Sequence, residues 1–114
     1  MRDAKERLRD ILEAIANIDR YAVLGRDAFE TDELIQNWFL RQLQIIGEAG
    51  RAVPQDIMDL SPQIPWTKII GMRNILVHGY FEIDTEVVWD AVNNDMPALK
   101  FHIEDLLRKL EQRT

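Results

Sequence analysis

The sequence contains no cysteine, and no part of it approaches the 18 or so consecutive apolar residues of a membrane-spanning helix. The first absence excludes disulfides, thiolate nucleophiles and cysteine-based zinc or iron–sulfur sites. The second absence, together with the densely charged residues 1–7, predicts neither a signal peptide nor a membrane span. We therefore expect a cytoplasmic protein that makes no contact with membranes.

Basic residues are in the minority, with 14 Lys plus Arg against 20 Asp plus Glu and a formal net charge of −6. This balance argues against broad, sequence-independent coating of nucleic acid, because phosphate neutralisation dominates that kind of affinity. The acids are unevenly placed, since none lies between Leu60 and Phe81. The residues just beyond that window form an acidic run that is either a solvated helix face or a docking surface for a basic partner: Glu82, Asp84, Glu86, Asp90 and Asp95.

Strand-like alternation is also absent, and apolar residues instead recur three and four positions apart. The third helical segment is apolar most of the way round and should be central and buried, while Pro97 must break or kink the last one. The pattern predicts an all-α, up-and-down bundle of four to five helices in a single domain spanning 1–114. The predicted helices cover about 4–23, about twenty residues from 31, about 65–79, and the chain from 84 onward.

Capping signals indicate where these helices begin and end. Asp3 precedes the first helix, Gly25 follows it, and Thr31-Asp32-Glu33 opens the second. Asp84 is placed to cap the fourth helix, since a side-chain carboxylate accepts hydrogen bonds from the free N–H groups of a first turn. Prolines mark a connector after the second helix, with one short helical turn around 57–60, and Pro65 is suited to the first position of the third helix.

One stretch, Gly71-Met72-Arg73-Asn74-Ile75-Leu76-Val77-His78-Gly79-Tyr80, gathers groups that can act on a phosphodiester. Arg73 presents a planar fork of donors matched to phosphate, and His78 can exchange a proton near neutral pH. Arg73 and Tyr80 return to nearly the same side of a helix, while Asn74 and His78 stack on an adjoining face. Such a set supports metal-independent cleavage of RNA through the ribose 2′-hydroxyl.

The same residue types also have purely structural explanations. Arg73 would then pair with a buried glutamate such as Glu48, and His78 would be a helix C-terminal histidine favoured by the dipole. His102 is expected on the surface of the last helix rather than in a second catalytic role. No carboxylate or histidine spacing indicates a metal, so we expect neither metal nor cofactor. The tryptophans, expected in the core or at a dimer contact, are Trp38, Trp66 and Trp89.

At this motif the sequence resembles the HepT-like toxins of the HEPN superfamily, the ribonuclease partners of minimal nucleotidyltransferase antitoxins in type VII toxin–antitoxin pairs. The superfamily signature of Arg, a polar residue and a later His matches Arg73-Asn74 and His78, and Gly79-Tyr80 matches the family's His-x-Tyr extension. The resemblance covers most of the chain and includes Gln44-Ile45-Ile46-Gly47-Glu48-Ala49, the segments 65–72 and 81–89, and Met96-Pro97-Ala98-Leu99.

This resemblance implies a HEPN fold and a ribonuclease in which Arg73 and His78 are catalytic and Asn74 is the supporting polar residue. It also implies that Tyr80 accepts AMP from the cognate nucleotidyltransferase antitoxin, which silences the toxin. A homodimer is implied as well, with the two motifs facing each other across the interface. Glu48 either orients Arg73 or only completes a buried ion pair.

Two other functions remain open from the sequence. In the first, the chain is a non-catalytic helical module that binds a nucleotidyltransferase or a nucleotide. The net charge of −6 favours this function slightly over an RNA enzyme. Alternatively, Tyr80 is the main functional group of the motif and serves as a regulated acceptor of AMP.

Overall fold

The computed structural model describes residues 3–77 and 84–113, with side chains described for all of them except 73–77. These residues form no strand, and the predicted all-α bundle is confirmed. None of their helices is long and apolar enough to cross a membrane. The helices are α1 (Ala4–Ala22), α2 (Arg26–Thr31), α3 (Glu33–Arg51), α4 (Gln55–Met58), α5 (Trp66–Val77), α6 (Thr85–Asp90) and α7 (Met96–Gln112), with a π-helical turn over Ala91–Asp95.

The long helices pack around one apolar core. α3 packs against both α1 and α5, and α1 packs against α7. Apolar stripes at helical spacing supply the interior, as the periodicity predicts. The largest side chains with almost no exposed surface are Leu8, Ile11, Ile15, Ile18, Phe29, Phe39, Leu43, Ile46, Ile64, Ile69, Met96 and Ile103.

Aromatic side chains join the shorter helices to this core. The Phe29 ring on α2 stacks on Phe39 and on Trp89, with ring centroids 5.3 and 5.6 Å away. Trp38 donates its Nε1 proton to the carbonyl of Asn17 at 2.8 Å. All three tryptophans are partly buried and pack against the core, so their predicted core role is confirmed: Trp38, Trp66 and Trp89.

The capping predictions for three helices are confirmed. Asp3, Asp32 and Asp84 each accept a hydrogen bond from a backbone N–H of the following turn, at 2.9, 2.9 and 3.2 Å. Gly25 ends the first helical region with a φ of 92°, a conformation that side-chain-bearing residues rarely adopt. The predicted short turn in the proline connector is α4.

Helix α2 and the first residue of α5 differ from the prediction. The six-residue α2 was not predicted, because so short a segment shows less than two turns of periodicity. α5 begins at Trp66, one residue later than predicted, and the Pro65 carbonyl accepts from Ile69 N–H at 3.0 Å.

α5 is also less enclosed than its composition predicts. Its main packing partner among the described elements is α3, against which Ile69 and Met72 are buried. Ile70 and Gly71 are only half-buried, and Lys68 is exposed. A helix that is apolar nearly all round therefore leaves apolar surface partly uncovered in the single chain.

Pro97 produces a widened turn instead of a chain break. It has no N–H to donate and its ring crowds the carbonyl four residues earlier, which disfavours regular α-helix there. The chain passes through the π-helical turn directly into α7, with the Met96 N–H donating to the Ala91 carbonyl five residues back. The predicted kink is thus a π turn between α6 and α7.

The α3–α5 contact gives a stability prediction. A Cβ added to Gly50 would lie 2.8 Å from Ile69 Cγ2, whereas one added to Gly71 meets nothing within 4 Å in the described structure. Both Gly→Ala changes gain helix propensity of about 1 kcal/mol, and only Gly50→Ala adds overpacking of about 1–3 kcal/mol. We expect Gly71→Ala to unfold at higher urea concentration than Gly50→Ala, by about 1–3 kcal/mol in unfolding free energy. Equal midpoints for the two variants would contradict the close contact.

Candidate active site

The motif helix is positioned by a close approach to α3. Gly50 lacks a Cβ at the point where Ile69 of α5 lies against α3, so the two backbones can come nearer than two larger residues would permit. Ile69 and Met72 then bury their side chains at this contact. Positions 73 and 74 of the motif follow Met72 along the same helix.

The structure gives the motif a helical backbone over its first residues. Positions 73 and 74 lie within α5, which continues to Val77. The side chains of Arg73 and Asn74 lie outside the described atoms, and His78 and Tyr80 lie outside the described residues. The predicted catalytic pair, its supporting asparagine and the AMP acceptor therefore stay predictions.

Glu48 lies on α3 and is exposed. It lies two positions before Gly50, which places the two about 200° apart around the helix. Since Gly50 contacts α5, Glu48 lies on another side of α3. The explanation in which Glu48 completes a buried ion pair within one chain is therefore wrong, whereas its role in orienting Arg73 stays a prediction.

The positive charge of the acid-free window is partly neutralised in space. Lys68 Nζ lies 3.0 Å from Asp95 Oδ2, although the two residues are far apart in sequence. Asp95 is the last residue of the π turn and the last member of the acidic run. The window between Leu60 and Phe81 is consequently free of acids in sequence but not in its surroundings.

A cavity of about 180 Å³ lies between α5 and the start of α7, next to the motif. His102 lines this cavity from α7, and Lys68 lines it from α5. The Nδ1 atom of His102 is buried and has no hydrogen-bond partner in the described structure. His102 is half-buried and not the surface residue that the sequence predicts.

A sequence signal for this position of His102 did exist. His102 follows Leu99 by three residues and precedes Leu106 by four, and both leucines belong to the buried stripe of α7. Helical geometry places it beside that stripe. The sequence does not predict that the π turn contributes Asp95 to this region, because Asp95 and Lys68 come together only in the folded chain.

An acidic surface covers α6. Asp84, Glu86 and Asp90 are all exposed there. Arg26 of α2 lies nearby, and its pKa is raised by the Glu30 carboxylate, which accepts a hydrogen bond from Arg26 Nε at 2.8 Å, with Glu86 adding a smaller effect. Arg26 is thus paired with acidic side chains, and the surface as a whole remains negative.

No group of three or more histidine and carboxylate side chains is arranged to hold a metal ion in the parts of the chain that are described, 3–77 and 84–113.

Comparison with known proteins assigns the chain to a family. The model of the "Ribonuclease HepT-like" family matches residues 11–106. A probable ribonuclease HepT from Thermococcus cleftensis is 40% identical over 106 residues, which cover 92% of this chain and 96% of that protein. A putative RNase of Methanocaldococcus jannaschii is 36% identical over 104 residues, covering 90% of this chain and 95% of the relative.

Another relative is named for two activities. A Methanocaldococcus jannaschii protein named gamma-glutamylcyclotransferase and putative RNase is 34% identical over 112 residues, covering 97% of this chain and 50% of that protein. No solved structure matches the chain significantly. The family model matches most of this helical bundle, and two relatives align with it over nearly the full length of both chains. The chain therefore belongs to the HepT-like ribonuclease family.

Proposed function

We propose that this protein is the ribonuclease toxin of a type VII toxin–antitoxin pair and cleaves RNA internally without a metal. The observation that carries the proposal is the motif from Arg73 to Tyr80, which begins on α5 of a HepT-like chain. Ribonuclease is the activity named for the family and for its relatives. The near-complete match of this chain to half of a larger protein supports a single domain over 1–114.

The proposed reaction uses the ribose 2′-hydroxyl as the nucleophile. The 2′-oxygen attacks the adjacent phosphorus as its proton passes to a His78 imidazole, and the bond from phosphorus to the 5′-oxygen breaks. A second imidazole donates a proton to the leaving oxygen. Arg73 stabilises the negative charge that develops on the phosphoryl oxygens, and Asn74 assists in holding the phosphate.

A homodimer completes this chemistry. Each chain contributes one motif histidine, so two chains supply the base and the acid together. The partly uncovered apolar surface of α5, where Ile70 is half-buried, supports an interface beside the motif. In such a dimer the two motifs face each other, and the positive charge of Arg73 is doubled at the cleft.

The antitoxin partner is proposed to be a minimal nucleotidyltransferase that transfers AMP to Tyr80. A nucleotidyl group on the tyrosine of the motif would occupy the cleft and add negative charge beside Arg73. The exposed acids of α6 support a docking surface for a basic face of this partner.

A non-catalytic module that binds a nucleotide or a nucleotidyltransferase is the second candidate. The Lys68–Asp95 ion pair favours it, because the pair removes one free positive charge from the neighbourhood of the motif. The net charge of −6 acts in the same direction. Nucleotide affinity without RNA turnover, after removal of any AMP from Tyr80, would select this candidate.

Loss of either motif residue should abolish RNA cleavage. We expect Arg73→Ala and His78→Ala each to lower the cleavage rate roughly 100- to 10,000-fold, because they remove charge stabilisation and proton transfer respectively. The assay follows a fluorescent RNA in the presence of EDTA, with Arg20→Ala, an exposed change on α1, as the matched arginine control. Parental activity in both motif variants would refute the catalytic assignment.

Co-expression with a minimal nucleotidyltransferase should add mass to this chain in steps of one AMP. The chain has two tyrosines, so Tyr80→Phe should abolish the added mass while Tyr21→Phe retains it. Intact-mass spectrometry measures both variants under the same conditions. Modification that survives Tyr80→Phe, or an unchanged mass of the parent, would rule out Tyr80 as the acceptor.

A further inference from the structure

The cavity between α5 and α7 has the composition of a site for a small planar ring. Its inner wall is apolar, formed by the buried side chains of Ile69 and Met72 from α5 and Leu99 from α7. Its rim is polar and includes Lys68, Asp95 and His102. Flat aromatic ligands with polar edges suit a pocket with an apolar wall and a few hydrogen-bonding groups at the rim.

The volume of the cavity suits about one six-membered ring. Apolar cavities of about 150 Å³ accommodate one benzene molecule. The cavity here measures about 180 Å³, which leaves room for a ring with small polar substituents. Two fused rings would fill it more tightly, and a peptide side chain with its backbone would extend beyond it.

The charges at the rim disfavour an anion as the ligand. Asp95 lies 3.0 Å from Lys68 and neutralises it, and its carboxylate would repel a phosphate placed in the cavity. The half-buried ring of His102, which lines the cavity, instead offers a polar edge to a neutral ligand. Histidine rings also serve as stacking surfaces for unpaired bases in RNA-binding proteins.

The cavity adjoins the proposed cleavage site. Met72, one of its wall residues, directly precedes Arg73, and Ile69 lies one helical turn before Arg73, about 6 Å along the axis. The π turn that supplies Asp95 forms the opposite side, and such turns occur often at functional sites. A base held here would belong to a nucleotide next to the phosphodiester bound at Arg73.

We propose that this cavity is a subsite for one unstacked pyrimidine base of the RNA substrate. The base ring packs against Ile69, Met72 and Leu99, and its polar edge meets His102. The role of this subsite in substrate recognition depends on the proposed ribonuclease function. It gives the cleaved RNA a pyrimidine at a fixed position beside the cut.

Base binding is measured separately from cleavage by NMR on the His78→Ala protein. This variant retains one histidine, so every imidazole signal belongs to His102. The probes are CMP, UMP, AMP, GMP and ribose 5-phosphate, which carries the phosphate without a base. We expect CMP or UMP to shift the His102 signals with a Kd of roughly 1–10 mM, and at least several-fold more tightly than either purine nucleotide or ribose 5-phosphate.

A cavity-filling change provides the matched comparison. Ala98 is exposed and lines the cavity, so Ala98→Phe fills it from outside the core, whereas Ala16→Phe makes the same change at an exposed position of α1. In the His78→Ala background, Ala98→Phe should weaken pyrimidine nucleotide binding about 10-fold or more, and Ala16→Phe should change it less than twofold. Equal response to all probes, no response at about 10 mM, or binding unaffected by Ala98→Phe would overturn the subsite.

Cleavage mapping on RNA of mixed sequence then separates the two proposals. In the parent chain the pyrimidine preference should appear at one position beside the cut. Ala98→Phe should lose this preference, whereas Ala16→Phe should keep both the preference and the cleavage rate. Cleavage without pyrimidine binding overturns the subsite and leaves the ribonuclease intact. Pyrimidine binding without cleavage keeps the subsite as a nucleotide site and overturns the ribonuclease function.

Discussion

The close approach of α5 to α3 at Gly50 is the constraint on which the candidate site depends. Because Gly50 has no Cβ, Ile69 lies directly against the α3 backbone, and α5 is held there by Ile69 and Met72. Positions 73 and 74 of the motif follow on the same helix, and helices hold functional groups more precisely than loops do. Elsewhere on α5, Ile70 and Gly71 are only half-buried in the single chain.

The π turn before Pro97 has a comparable influence on the other side of the site. It lets the chain pass from α6 into α7 without a break, and it brings Asp95 to Lys68. One consequence is chemical, since the ion pair cancels part of the positive charge near the motif. The other is geometric, because α5 and α7 enclose a cavity whose wall is apolar and whose rim is polar. Both effects make this region better suited to a base than to a second phosphate.

Most of the fold was predictable because its signals are local. Asp3, Asp32 and Asp84 cap helices for the same reason in any protein, namely that a carboxylate satisfies N–H groups of the first turn. Periodic apolar stripes longer than three turns were equally clear. The six-residue α2 and the exact form of the Pro97 distortion were not, since each depends on contacts with other helices. Much of the candidate site was identifiable from the motif and its resemblance, but the environments of Glu48 and His102 were not.

The sequence by itself determined the helical class, the positions of the long helices, the membership in a ribonuclease family and the motif from Arg73 to Tyr80. These properties depend on residue order along the chain. Tertiary structure alone decided that Glu48 is exposed, that His102 has a buried nitrogen and that Lys68 meets Asp95. Each depends on which helices lie side by side, and helix packing is set by the sum of many small apolar contacts that no single stretch of sequence contains.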